Sequence, residues 1–300
     1  MKFFYYLKSC TILLTPHFIL KTRQQRFLQK YYPKYNNADL QSRLDYYNKL
    51  KEKKQIPQSS PTLANHKLKN VNYSKVYFFD SYEYTRYFSK TLPWLFRPGD
   101  ITDLQDFPTI VKSRPITENN ENSVLLKLNK IRHFIFVKDK TKFEDKIPKI
   151  LFRGAAHGKP SRQMFIEKWI DNPMCDIKDT AKDSINPPQW QSKPISIKEQ
   201  LKYRYIMAIE GNDVASNLKW IMSSNSIAVM PRPKYETWFM EGTLIPNHHY
   251  IEIKDDFSDL IERVNFYEQN PEKAKAIIKN ANEYVKPLKD KKREKLLSIL

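Results

Sequence analysis

The chain has 300 residues, of which 40% are hydrophobic and 13% aromatic, so it can bury a core as one large domain or as two smaller ones and does not have the composition of a disordered chain. Its 52 lysines and arginines exceed 33 acidic residues, and the net charge of +19 favours polyanionic partners such as nucleic acid, anionic lipid headgroups or phosphorylated sugars. Cys10 and Cys175 stand far apart and outside any motif, which predicts neither a disulfide framework nor a zinc site and fits a reducing cytoplasm.

The first 20 residues are apolar and aromatic, but Lys8 and Pro16 interrupt them. No uninterrupted run therefore reaches the roughly 20 apolar residues of a membrane-spanning helix. Two interpretations stay open: a helix that packs on the domain, or a helix that lies on a membrane surface. A basic stretch that follows would suit anionic headgroups in the second case; it consists of Lys21, Arg23, Arg26 and Lys30.

The first half of the chain predicts helices followed by alternating strands and helices. Residues 22–55 have the spacing of apolar residues that is typical of helices. Beyond them, three short aromatic or β-branched runs predict strands, which are VYFFD (76–80), TIVKSR (109–114) and HFIFV (133–137). The segment SYEYTRYF, which follows the first of these runs, predicts a helix. This alternation predicts an α/β sheet.

A second α/β unit begins near Ile147, which divides the chain into residues 1–146 and 147–300. The predicted strands are PKILFRG (148–154), SIAVM (226–230) and HYIEI (249–253). The predicted helices are RQMFIEKWI, ISIKEQLKYRYIMAIEG, which ends at Gly211, SNLKWIMSSN, and residues 258–285 with a break at Asn270-Pro271. A strand that runs into a glycine turn and a helix, as at residues 148–154, is where open α/β sheets bind ligands.

Small and polar residues also gather at a junction between two predicted helices. They are Gly211, Asn212, Asp213 and Ser216. Free backbone N–H groups and the helix dipole at such a junction can hold a diphosphate, and Lys219, one turn into the helix, would add a cation.

Several ordered motifs in this region resemble those of glycosyltransferase family 90, whose members include bacterial lipooligosaccharide-core transferases and animal protein O-glucosyltransferases. The motifs are FRG (152–154) with Arg162 downstream, YRY…EGNDVASNLKW (203–220), SSNSIAVM, YETWF, and HYIEI followed by DDFSDL. The resemblance covers roughly residues 75–285. The passage NLKWIMSSNSIAVMPRPKYETWFMEG is most similar to the bacterial lipooligosaccharide branch.

The resemblance implies a GT-B fold, with two Rossmann-like domains facing a cleft, inversion at the anomeric carbon and no metal cofactor. Residues 1–146 would form the acceptor-side domain, with a membrane-proximal N-terminal helix, and residues 147–300 the nucleotide-sugar-binding domain. No Asp-X-Asp motif is present to hold a metal-bound diphosphate. Basic side chains and backbone amides would then stabilise the leaving UDP.

The resemblance also assigns donor-binding residues. Arg153, which with Gly154 matches the FRG motif, is the first choice for stabilising the leaving UDP. Arg162 matches a later arginine or is an ordinary surface arginine, and Asn212, Ser216 and Lys219 lie in the donor segment. Many relatives carry an arginine just after the serine, where this chain has Asn217 and Leu218, and Lys219 is a substitute for it. Glu236, in YETWF, would accept hydrogen bonds from both ribose hydroxyls, or it is a salt-bridged structural glutamate. Trp238 and Phe239 are expected in the core.

An inverting transfer needs a base to deprotonate the acceptor hydroxyl, and the family uses an aspartate in the first half. Asp100 fits this position best, and Asp80 is the alternative. Lys112 and Arg114 would contact phosphorylated sugars of the acceptor, or they are ordinary charges at a strand end. No histidine spacing predicts a metal site.

We therefore expect an enzyme that moves glucose or galactose from a UDP-sugar to the core oligosaccharide of lipopolysaccharide or lipooligosaccharide. It would work in the cytoplasm, peripherally on the inner membrane, without a cofactor and without nucleic acid. Two alternatives remain at this point: a basic protein that binds polyanions such as nucleic acid, and an inactive transferase-like scaffold.

Overall fold

A computed structural model describes residues 2–300. Its α-helices are α1 (Lys2–Leu14), α2 (His17–Tyr35), α3 (Ala38–Tyr47), α4 (Lys75–Thr85), α5 (Lys130–His133), α6 (Pro160–Trp169), α7 (Ile197–Gln200), α8 (Leu218–Met222), α9 (Leu260–Gln269), α10 (Pro271–Val285) and α11 (Lys291–Ile299). Its strands are β1 (Leu95–Arg97), β2 (Thr109–Val111), β3 (Ser113–Pro115), β4 (Ser123–Leu125), β5 (Ile147–Gly154), β6 (Cys175–Asp179), β7 (Tyr203–Met207), β8 (Ile227–Met230), β9 (Tyr235–Thr237) and β10 (Ile251–Glu252).

These elements form two compact units. The first consists of the chain up to Ile135 together with Tyr235–Met240 and Leu288–Leu300, and the second of Phe136–Lys234 and Glu241–Pro287. Two short segments from the second half of the sequence therefore belong to the first unit.

The first unit contains the parallel sheet β1-β2-β4 and the antiparallel pair β3-β9, and α11 packs on α2 and α3. Its core draws side chains from all of its segments, including Leu40, Val111, Leu125, Trp238 and Leu296. The expectation that Trp238 and Phe239 are core residues is confirmed, because both are buried.

The second unit is built on a five-stranded parallel sheet in the order β10-β8-β7-β5-β6. The central residues of β5 and all four residues of β8 are buried, as expected for parallel strands that are covered on both faces. Side chains of α6, α9 and α10 complete this core, including Phe165, Leu260, Val264 and Ile277. With parallel sheets and helices in alternation, the predicted α/β class is confirmed.

Several predicted elements are confirmed and others are wrong. The strands at 148–154 and 226–230, the helix at RQMFIEKWI and the helix break at Asn270-Pro271 are as predicted, and the helix predicted over SNLKWIMSSN is present only at Leu218–Met222. The segment VYFFD is not a strand: it lies in α4, whose buried residues Tyr77, Phe78, Ser81 and Tyr84 follow helical spacing.

The predicted helix at residues 195–211 is also wrong. A capping box between Ser196 and Glu199 starts α7, but this helix has only four residues. The chain then enters β7, YRYIM, whose aromatic and β-branched side chains favour a strand. The segment HFIFV is not a strand either: His133 is the last residue of the short helix α5, and residues 134–137 are irregular where the chain leaves the first unit.

Across residues 2–300, no single helix has both the length and the apolar composition needed to cross a membrane. The helices α1 and α2 reach that composition only as a pair, which is bent by 113°.

Candidate functional site

The sheet of the second unit has a topological switch point between β5 and β7. From β5 the chain crosses to β6 on one side, and it then returns to β7 on the other side of β5. In open α/β sheets, ligands bind outside the carboxyl ends of the strands at the point where two such connections diverge. The loops that follow Gly154 and Met207 form this edge of the sheet.

Arg162, in the first turn of α6, connects these two loops. Its Nη1 donates to the carbonyl oxygen of Ala155 (3.0 Å), which follows β5. Its Nη2 donates to the carbonyl oxygen of Ile209 (2.9 Å), and its Nε to that of Glu210 (3.2 Å), both of which follow β7. The structure thus places a half-buried guanidinium at the switch point.

Gly211 permits the close approach of Arg162 to the loop after β7. A Cβ atom at this position would lie 2.9 Å from Nη2 of Arg162, closer than real side chains pack. The loop turns here through a hydrogen bond from the Gly211 N–H to the carbonyl oxygen of Asp213 (2.9 Å). The sequence predicted Gly211 as the end of a helix and as part of a diphosphate-binding junction, but not its packing against Arg162.

Asp179, at the end of β6, is a second feature that sequence reasoning missed, because no strand was predicted there. Its Oδ1 accepts hydrogen bonds from the backbone N–H groups of Ala156 (3.0 Å) and Ala181 (2.9 Å). Its Oδ2 accepts from Ser184 and from Asn186 (2.9 Å). Burial alone would raise the pKa of this carboxyl, but the hydrogen bonds lower it overall. The ionised Asp179 therefore fixes the loop between β5 and α6.

Arg153 pairs with Asp176 across the β5–β6 edge. Its Nη2 donates to Oδ1 of Asp176 (2.6 Å) and its Nη1 to the carbonyl oxygens of Asp176 (2.7 Å) and Phe152 (2.8 Å). The hydroxyl of Tyr203 donates to the same carboxylate. Burial would raise the pKa of Asp176, but Tyr203 and Arg153 lower it overall, so the ion pair persists at neutral pH. The UDP contact predicted for Arg153 stays a prediction.

The remaining residues of the predicted donor segment lie between β7 and α8 or within α8. Asn212 is exposed and Ser216 is half-buried in the connection. The following helix has five residues, all buried, and Lys219 is completely enclosed and paired with Glu241. The side chain of Asn217 donates to the carbonyl oxygen of Met207 (2.9 Å).

Glu236 lies in the first unit, in the strand pair β3-β9, where it stands opposite Arg114. Both side chains are buried, and Nε of Arg114 donates to Oε1 of Glu236 (2.7 Å). Tyr46 donates to the other carboxylate oxygen. Arg114 also donates to the carbonyl oxygens of Ser123 (2.8 Å) and Tyr46 (2.6 Å). This pair matches the structural alternative for Glu236.

The two candidates for the base have different environments in the first unit. Asp100 is paired with Lys112, whose side chain is 1% exposed, while 24% of the Asp100 side chain is exposed. Asp80 is enclosed in α4, where it accepts hydrogen bonds from Tyr5 (2.9 Å) and from the backbone N–H of Lys130 (2.9 Å). Burial raises the pKa of Asp80 overall, against the opposing effect of Lys130.

In the second unit, Gly154 ends β5, Arg162 lies in the following helix α6, and Asn212 and Ser216 lie in the connection after β7, whereas Glu236 and the acceptor-side candidates lie in the first unit. Within residues 2–300, no three His, Cys, Asp or Glu side chains are grouped so that they can hold a metal ion.

Comparisons with known proteins identify one family and several relatives. The sequence model described as "Glycosyl transferase family 90" matches residues 123–292. The chain is 42% identical over 248 residues to "O-glucosyltransferase LpsA" of Dichelobacter nodosus, which covers 83% of this chain and 76% of that protein. It is 28% identical over 207 residues to "Uncharacterized protein 179R" of Invertebrate iridescent virus 6, covering 55% of this chain and 17% of that protein.

A shorter match joins the chain to an animal enzyme. It is 32% identical over 90 residues to human "Protein O-glucosyltransferase 3", covering 30% of this chain and 17% of that protein. The family match covers more than half of the chain, and the bacterial relative most of it. The chain therefore belongs to glycosyl transferase family 90 and is a glycosyltransferase.

Proposed function

We propose that this protein transfers glucose from UDP-glucose to a sugar of the lipopolysaccharide or lipooligosaccharide core, with inversion and without a metal ion. Galactose is the second donor sugar that we consider. The name of the bacterial relative, an O-glucosyltransferase, supports glucose as the sugar. The core acceptor rests on the similarity of the passage from Asn217 to Gly242 to the lipooligosaccharide branch, and the GT-B organisation on the resemblance of residues 75–285 to the family as a whole.

The observation that carries the proposal is the position of Arg162 at the switch point. A diphosphate at this edge of the sheet would meet the guanidinium of Arg162. Negative charge grows on the diphosphate as the glycosidic bond breaks, and a fixed cation stabilises it. We therefore assign this role first to Arg162, because the charge of Arg153 is already offset by Asp176.

Asp100 is our choice for the base. A base must reach the acceptor hydroxyl, and Asp100 is partly exposed whereas Asp80 is enclosed. In the proposed step, Asp100 takes the hydroxyl proton while the acceptor oxygen forms a bond to the anomeric carbon. The bond from that carbon to UDP breaks, and its electron pair leaves with UDP.

The test measures UDP release from UDP-glucose and UDP-galactose in the presence of EDTA, with truncated lipopolysaccharide as acceptor. We expect Arg162→Gln to lower kcat about 100-fold or more, as loss of a fixed donor to developing charge does. Arg204→Gln is the matched control, because Arg204 also donates to two backbone carbonyls of the second unit, at the opposite end of β7. It should lower stability but leave kcat nearly unchanged.

Asp100→Asn separates chemistry from binding. This variant should still bind UDP but release almost none from UDP-glucose. If it turns over at the rate of the wild type, Asp100 is not the base. If the wild type binds UDP but transfers no sugar in any of these assays, the protein is the inactive scaffold.

A further inference from the structure

The first helix has two different faces. One face packs on α4: the hydroxyl of Tyr5 donates to Asp80 (2.9 Å), and Arg86 donates to the carbonyl oxygen of Ile12 (3.0 Å). The opposite face carries an apolar stripe at helical spacing, formed by Phe3, Leu7, Cys10 and Leu14. We call these four residues the α1 stripe.

The α1 stripe is unusually exposed for its composition. Phe3 is 72% exposed, Leu7 51% and Leu14 82%, and the neighbouring Phe4 is 72% exposed. Single exposed apolar side chains are normal, but a continuous stripe of them marks a surface that binds a partner.

The charge of the same region identifies that partner. The first 38 residues contain seven lysines and arginines and no aspartate or glutamate. In α2 the basic side chains Arg23, Arg26, Lys30 and Lys34 follow helical spacing and are all exposed. The aromatic side of α2 is covered instead by α11, whose Lys295 and Lys292 lie over the rings of Phe27 (4.5 Å) and Tyr31 (5.2 Å).

We propose that the α1 stripe and the basic residues of α2 dock on the surface of an anionic lipid bilayer. The apolar side chains would insert at the boundary between headgroups and acyl chains, and the arginines and lysines would bind the headgroups. The inference rests on the proposed function for its setting, because a core oligosaccharide is carried on a lipid. Vesicle binding needs no sugar nucleotide, so it can fail or succeed independently of sugar transfer.

The experiment measures flotation of the full chain with phosphatidylcholine vesicles that contain or lack phosphatidylglycerol. We expect the wild type to bind the anionic vesicles and to dissociate at high salt. The triple variant Phe3→Ser, Leu7→Ser, Leu14→Ser should bind these vesicles at least about tenfold more weakly than the wild type does. The control variant Ile185→Ser, Ile245→Ser, Phe266→Ser, which replaces side chains of the second unit exposed by 73%, 55% and 41%, should bind as the wild type does.

Charge is tested separately. Arg23→Gln, Arg26→Gln, Lys30→Gln should reduce binding to anionic vesicles to the level seen with neutral ones. The control variant Lys182→Gln, Lys193→Gln, Lys198→Gln removes three charges at exposed positions of the second unit. It should bind anionic vesicles nearly as well as the wild type does.

Cys10 gives a direct readout of insertion. It is exposed in the α1 stripe, whereas burial raises the pKa of the Cys175 thiol to about 12 and keeps that thiol unreactive. A polarity-sensitive fluorophore on Cys10 should shift to the blue with anionic vesicles. The proposal is overturned if the emission does not change or if the triple variant binds vesicles as the wild type does. It is also overturned if the wild type is a dimer and the only effect of the triple variant is to make it a monomer, because the α1 stripe would then bind a second copy of the chain.

Discussion

His66 is surrounded by aromatic rings in the first unit. The rings of Phe78 and Trp94 are centred 4.7 Å from its imidazole, and that of Phe96 5.8 Å. Its Nε2 lies 3.0 Å from the hydroxyl of Ser81. Burial lowers the pKa of His66 from 6.5 to about 4, so the folded protein keeps this side chain neutral in mild acid.

This environment predicts a loss of stability in acid. Between pH 6.5 and pH 4 the unfolded chain binds a proton at His66 and the folded protein does not, so the free energy of unfolding falls as the pH falls. Between pH 7.5 and pH 4.5, the free energy of unfolding of His66→Gln should fall by about 2 kcal/mol less than that of the wild type. Urea denaturation at both pH values measures this difference, and equal losses in the two proteins would contradict the assignment.

Single residues also show how far the sequence could predict the site. The motif around Arg162 identified the residue, but its carbonyl partners became visible only when β7 was in place. Arg153 and Lys219 could not be judged from sequence, because their carboxylate partners, Asp176 and Glu241, are 23 and 22 residues away. A cation in a motif has the same sequence signature whether it binds a ligand or a buried carboxylate.

The strand pair β3-β9 is held by the buried ion pair between Arg114 and Glu236. Glu236→Gln leaves a buried guanidinium without its counter-charge, and we expect it to cost about 3–5 kcal/mol in the free energy of unfolding. The double variant Arg114→Met, Glu236→Leu should recover most of this loss, because neither charge remains. Urea denaturation tests both variants.

The same variants decide between the two interpretations of Glu236. If this glutamate holds only β9, the folded fraction of Glu236→Gln will bind UDP with the affinity of the wild type. A large loss of UDP affinity without a loss of stability would support the contact to ribose instead.

Helices and strands were predictable where burial and local preference agree. The run ILF in β5 is buried throughout and has a glycine turn after it, so pattern and fold coincide. VYFFD and YRYIM are equally short and aromatic, but one is a helix and the other a strand. A segment of five residues is too short to distinguish the helical from the strand period, and the neighbours in the fold decide. In α4 the helical spacing appears only when the pattern is extended to Tyr84.

At the scale of the whole molecule, the first unit depends on distant parts of the chain. Glu294 of α11 pairs with Arg43 (2.7 Å) and Lys127 (2.7 Å) and accepts a hydrogen bond from the indole of Trp238 (2.7 Å). The ring of Trp238 stacks on Tyr47 at 3.7 Å. Periodicity along the sequence cannot reveal such an exchange of segments, since each segment has an ordinary local pattern.

This organisation predicts that residues 1–146 do not fold alone. The fragment lacks Glu236, Trp238 and Glu294, and therefore leaves the buried Arg43 and Arg114 without their carboxylates. We expect no cooperative unfolding transition from the fragment in urea, and recovery of a soluble complex when residues 147–300 are produced with it. A cooperative transition from the fragment alone would show that the distant segments are dispensable.

The place of α11 in the first unit also bears on synthesis. A ribosome makes most of the first unit's helices and strands early. Glu294 and the apolar face of α11 are translated some 250 residues after Arg43, whose charge Glu294 neutralises. Nascent chains usually fold from the N-terminus onward as each domain emerges. Here the second unit is translated in full before α11 of the first unit, so the second unit can fold first. The incomplete first unit would then be the part of the nascent chain that needs a chaperone.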